Sequence, residues 1–123
     1  DYKSGGVGAD AVSVNIGKSA DAPVEAILKK IRNRGTKHHV LQLLIYCYLF
    51  RHAYKRPLDE VGIFSFINTS ESPFLLDFKG DISLEEATGL VEEVIHAILQ
   101  DMYDTATPFK HRHGAKYCLY CGK

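Results

Sequence analysis

Asp1-Tyr2-Lys3 places a carboxylate and an ammonium on either side of one aromatic residue. In a strand, successive side chains alternate between faces, so Asp1 and Lys3 are expected to share a face while Tyr2 turns into the core. That pairing suits phosphodiester hydrolysis. The carboxylate holds Mg²⁺, and the lysine orients or deprotonates a water, or steadies the charge on the pentacovalent phosphate. A second constellation lies in residues 40–50, V-L-Q-L-L-I-Y-C-Y-L-F, which is apolar on every side and predicts a buried helix. Gln42 is the strongly polar side chain in that run. Burying an amide without a partner costs roughly 1–3 kcal/mol, so its presence asks for a hydrogen-bonded partner or a chemical task. A backbone carbonyl within the core would satisfy it; so would a place in a site. Tyr46 follows one turn later on the same face, and His38 and His39 precede it by one turn.

Asp1-x-Lys3 followed by Gln42-x-x-x-Tyr46 resembles the RecB-like exonuclease branch of the PD-(D/E)XK nuclease superfamily, in which a strand ending Asp-Tyr-Lys-(Thr/Ser)-Gly precedes a helix bearing Gln-x-x-x-Tyr. Cys118-Leu-Tyr-Cys121, shortly after Thr107-Pro108-Phe109, resembles the Cys-x-Tyr-Cys segment that closes many of these nucleases as part of an iron–sulfur staple. The resemblance implies that Asp1 is the second acidic metal ligand, that the Tyr2 carbonyl is a further ligand, and that Lys3 is the catalytic lysine. It implies that Gln42 contacts the metal-site water or a DNA phosphate and that Tyr46 positions the strand. The cofactor implied is Mg²⁺ or Mn²⁺, with a 4Fe–4S cluster in the full-length parent. The family's first metal-binding aspartate precedes this strand, and the chain begins at the motif. The expectation is therefore the C-terminal part of a nuclease domain whose site is completed upstream, inactive as it stands.

The activity implied is that of a Mg²⁺-dependent DNA exonuclease domain in a bacterial repair or recombination helicase–nuclease, hydrolysing phosphodiester bonds. Its partners would be DNA and a helicase subunit or domain. The alternative is a catalytically inactive nuclease-like module that binds DNA or docks a subunit. Cys118-x₂-Cys121 has a two-ligand spacing for zinc or iron–sulfur, and His111 and His113 could complete a Cys₂His₂ zinc set. Cys47, inside the apolar run, reads as a core residue.

With 123 residues the chain is expected to form one domain, residues 1–123, with residues 108–123 as a cysteine-bearing tail. Three cysteines, an odd count, argue against a secreted disulfide framework and favour a reducing, cytoplasmic setting. No apolar run approaches the length of a membrane span. The formal net charge is zero, yet its distribution is uneven. Between Ala26 and Leu58 no acid occurs, while Lys29, Lys30, Arg32, Arg34, Lys37, His38 and His39, then Arg51, His52, Lys55 and Arg56, form a basic interval suited to DNA phosphates.

The elements that must hold these residues follow from local patterning. Residues 11–16 alternate weakly, as a short strand would. Ile16-Gly-Lys-Ser19 lacks the glycine a phosphate-binding loop needs at position 12, where Val12 stands, which excludes that motif. Pro23 near a first turn predicts a helix to about Arg32, and a second helix over residues 36–54 is stopped by Pro57. Residues 61–67 and 74–78 read as a β-hairpin across Asn68–Pro73. Ser83-Leu-Glu-Glu86 is a capping box opening an amphipathic helix with Leu84, Ala87, Val91, Val94, Ile95, Ile98 and Met102 on one face. The expected fold class is α/β, a central mixed β-sheet flanked by helices. The resemblance would make it an incomplete restriction-endonuclease-like core with the Asp1–Lys3 strand central.

Overall fold

In the computed structural model, short strands alternate with helices; the description covers residues 2–3 (backbone), 7–17, 22–32 and 39–108. The elements are β1 (Tyr2–Lys3), a 3₁₀ turn (Ala9–Ala11), β2 (Ser13–Asn15), α1 (Ala22–Arg32) and α2 (His39–Tyr54). They continue with β3 (Gly62–Ser65), β4 (Phe74–Leu75), β5 (Asp77–Lys79), α3 (Leu84–Gly89) and α4 (Val91–Tyr103). The class is mixed α/β.

Strands β1, β3 and β4 form one small sheet in that order, and β2 pairs with β5 in another. β1 runs parallel to β3, Tyr2 opposite Phe64 and Lys3 opposite Ser65. β3 runs antiparallel to β4, Gly62 opposite Leu75. β2 runs parallel to β5, Val14 opposite Phe78. Among the described strands, β3 rather than β1 therefore has a neighbour on both sides. The hairpin expected over 61–78 is present, but its second strand changes partners at Leu76. The Leu76 N–H donates to the Val61 carbonyl at 2.8 Å, and the next N–H, of Asp77, donates to the Val12 carbonyl at 3.0 Å. Leu76 accordingly packs against both hydrophobic clusters and joins them. Gly62 permits the close approach of β3 to β4, since a Cβ there would lie 2.7 Å from the Phe74 carbonyl oxygen.

Pro23 sits in the first turn of α1, where its missing N–H costs nothing, and Ile27 and Leu28 are the buried face. α2 ends at Tyr54, where Lys55 adopts a left-handed φ of 56° two residues before Pro57. The capping box forms at Ser83: its hydroxyl accepts from the Glu86 N–H at 3.2 Å, and its own N–H donates to the Glu86 carboxylate at 2.8 Å. The helix it opens is interrupted. Leu90 (φ −88°, ψ −2°) donates its N–H to Ala87, one residue short of helical register, and α4 restarts at Val91. Gly89, a poor helix former, immediately precedes the break. Of the apolar face expected there, Val91 and Val94 are buried, whereas Ile95 and Met102 are exposed.

The larger cluster gathers Val14 and Phe78 from β2 and β5, Ile27 and Leu28, Val40 and Leu44, Ala87, Val91 and Val94. The smaller joins Val7, Val12, Leu43, Ile63 and Phe74. Adjacent leucines of α2 thus enter different cores. Among the described residues no helix is long and apolar enough to cross a membrane.

Candidate functional site on helix α2

α2 is fixed by Val40, Leu43, Leu44 and Cys47, all buried. Leu43 packs with Ile63 of β3, and β3 is the strand to which β1 is paired. The helix carrying Gln42 and Tyr46 is therefore bound to the sheet carrying Tyr2 and Lys3 through one strand. Gln42 is half-buried, and its amide Nε2 donates to the Tyr46 hydroxyl at 2.7 Å. This bond connects neighbouring turns of the helix. It ties the amide to a side chain 44% exposed. The uniform burial expected of residues 40–50 is not found: Tyr46 and Leu49 are exposed, because the flanking elements cover only the face of Val40, Leu44 and Cys47 and that of Leu43.

Sequence inspection overlooked a polar knot at the carboxyl end of β3. The Ser65 N–H donates to the Ser72 hydroxyl at 3.0 Å, and that hydroxyl lies 2.8 Å from the Asn68 carbonyl. Asn68 Nδ2 donates to the Val7 carbonyl at 3.0 Å. The chain leaving β1 is thereby tied to the β3–β4 turn. Parallel β1 and β3 end on the same side, the edge where α/β sheets bind ligands. Asn68-Thr-Ser-Glu-Ser-Pro73 signalled only a turn in the sequence; its partner, Val7, is too distant along the chain to be read from it.

The basic residues divide. Lys29 is exposed. Lys30 Nζ donates to the Asp10 carbonyl, and Arg32 forms an ion pair with Asp101 of α4. His39, grouped with the basic edge by sequence position, is 6% exposed at the head of α2 and packs rather than faces solvent. Arg34, Lys37, His38, Asp1, Cys118 and Cys121 lie outside the described residues. An open groove of about 930 Å³ runs beside Asn15, Gly17, Glu25, Lys29 and Arg32. A smaller concavity, about 320 Å³, is lined by Arg51, His52, Lys55, Arg56, Pro57 and Glu85.

Two titrating groups on α2 report its surroundings. Burial pushes the Cys47 thiol above its usual value, as expected of a core cysteine. The Tyr48 hydroxyl donates to Glu92 at 2.5 Å, and this hydrogen bond to a carboxylate holds the phenol above its ordinary range. Among the described residues no group of three or more His, Cys, Asp or Glu side chains is placed to hold a metal ion. No protein-family model, curated protein or solved structure matches the chain.

Proposed function

We propose that the chain forms a RecB-like PD-(D/E)XK nuclease domain or part of one, a Mg²⁺- or Mn²⁺-dependent DNA exonuclease of the helicase–nuclease type. The observation that carries this reading is the hydrogen-bonded Gln42–Tyr46 pair on a helix docked, through Leu43 and Ile63, to the strand that pairs with β1. The backbone of Tyr2–Lys3 and the helix bearing Gln42 and Tyr46 thereby share one strand as neighbour. Asp1 and the Tyr2 carbonyl would contribute to the metal site. Lys3 would orient the attacking water or steady developing phosphate charge. Gln42 would hold a water or phosphate oxygen, and Tyr46 would position the strand. Lys29 remains available to a DNA phosphate, whereas Lys30 and Arg32 are engaged within the fold. Cys118 and Cys121 would join a 4Fe–4S cluster in the full-length protein.

A second reading, a catalytically silent docking module, draws support from Phe66 and Ile67, 60% and 65% exposed just beyond β3. One experiment separates the two. In the natural full-length protein, Lys3→Ala should reduce Mg²⁺-dependent release of nucleotides from DNA by about 100-fold or more, with the circular dichroism spectrum unchanged. Equal digestion by wild type and variant rules out the catalytic assignment; absence of digestion by both favours the docking module.

A further inference from the structure

Beyond Gln42 and Tyr46, the last turns of α2 carry residues that the nuclease reading does not use. Gln42, Tyr46, Phe50 and Tyr54 follow one another at four-residue intervals, so they form a single ridge along the helix. The Phe50 and Tyr54 rings lie 4.6 Å apart, and Tyr54 is 65% exposed. The Arg56 guanidinium sits 5.6 Å from the centre of the Phe50 ring, a cation–π contact. Beside the ridge, the concavity of about 320 Å³ gathers Arg51, His52, Lys55 and Arg56 against one carboxylate, Glu85, which stands 3.8 Å from Arg51.

Cations at a helix carboxyl end offset the helix dipole, and that alone could account for one or two of them. It does not account for Tyr46 and Tyr54, 44% and 65% exposed, with the half-buried Phe50 between them held against Tyr54 and Arg56. Nor does backbone geometry account for Lys55, whose left-handed φ of 56° favours glycine. Positive charge interleaved with accessible aromatic faces is the chemistry that grips single-stranded nucleic acid: cations meet phosphates while rings stack on unpaired bases. A duplex keeps its bases stacked on each other and offers the rings nothing. A phosphopeptide would use the charge but not a row of rings leading along the helix; a lipid surface would use both, and competition by vesicles separates it from a single strand.

We propose that the Tyr46–Phe50–Tyr54 ridge with Lys55 and Arg56 is a single-strand nucleic-acid track that delivers a strand to the Gln42–Tyr46 pair. The choice of nucleic acid as the polyanion rests on the phosphodiesterase reading. From Gln42 to Tyr54 the ridge covers about 18 Å at the helical rise, so the far end grips the strand well away from the scissile bond.

The test is fluorescence anisotropy with a labelled oligothymidylate of about 16 nucleotides, in EDTA so that no cleavage intervenes. Tyr54→Ala should weaken binding roughly tenfold, while Tyr54→Phe, which keeps the stacking face, binds as wild type does. Lys55→Gly should raise the melting temperature and yet lower the slope of log affinity against log salt by about 0.7. A blunt duplex of equal length should bind more weakly and be indifferent to Tyr54→Ala. The track is refuted if Tyr54→Ala and Lys55→Gly bind the single strand as wild type does, or if Tyr54→Ala weakens duplex binding equally. It is likewise refuted if phosphatidylserine vesicles compete as well as the oligonucleotide. Binding that depends on Tyr54 in a protein that never cuts DNA would uphold the track and sink the nuclease. Lys3-dependent cutting with Tyr54-independent binding would do the reverse.

Discussion

The first and last halves of α2 are built from similar residues and face different surroundings. In the first half, Val40, Leu43 and Leu44 are buried, and Gln42 is hydrogen-bonded to Tyr46. Neighbours on both sides, Ile63 from one cluster and Val91 and Val94 from the other, hold it. In the second half Leu49 is 57% exposed and Tyr54 65%, and the concavity beside them is cationic. Its polar connections to the body are peripheral: Tyr48 to Glu92, and Arg51 to Glu85. One helix thus has a packed end and an accessible end. Apolar residues in a helix become core only where another layer covers them.

That contrast can be broken most sharply by making the same change at both ends. Leu43→Ala removes a fully buried side chain shared with Ile63 and should cost about 2–5 kcal/mol in chemical denaturation. Leu49→Ala should stay within about 0.5 kcal/mol of wild type. Comparable losses at the two positions would mean that the ends of α2 are buried alike.

The accessible end also leans on α3, which carries Glu85 in its first turn. Ser83→Ala removes the side-chain half of the capping box and should cost about 1 kcal/mol, measured by thermal melting. The Ser83 N–H, and then its hydroxyl, hold the Glu86 carboxyl below its ordinary 4.5. Since the folded value is the lower one, this contribution is fully present above the ordinary glutamate range and is lost as pH falls through the depressed value. Glu86→Gln should therefore lower stability near neutral pH and leave it little changed below the depressed value, which flattens the acid limb of the profile. An acid limb unchanged in Glu86→Gln would contradict that linkage.

The smallest effect is expected on α1. Arg32 and Asp101 are paired but more than half exposed, so Arg32→Ala should lower stability by less than about 1 kcal/mol. It should leave single-strand affinity within about twofold, in contrast to Lys55→Gly. A larger loss of binding at Arg32 than at Lys55 would move the nucleic-acid surface to α1.

Local features were legible in the residues. The capping box at Ser83, the carboxyl ends of α1 and α2, and β3 with its antiparallel partner each rest on neighbours a few positions apart. Gln42 and Tyr46 could be seen to share a face for the same reason. The parallel pairing of β2 with β5, the change of partner at Leu76 and the interruption at Leu90 were not legible. Each depends on which distant segment supplies the hydrogen-bond acceptor or the packing surface. The Asn68–Val7 bond joins residues 61 positions apart, and no local pattern marks it.

By itself, the amino-acid order determined the helices, the turn chemistry, the spacing of carboxylate, amine and amide, and the clustering of positive charge, because these are set by backbone periodicity over one or two turns. The tertiary structure alone decided which cations are spent inside the fold and which remain beside exposed rings, and that Leu43 and Leu44 enter separate cores. Hydrogen bonds, ion pairs and exclusion of water act over a few ångströms of space, and distance along the polymer does not report them.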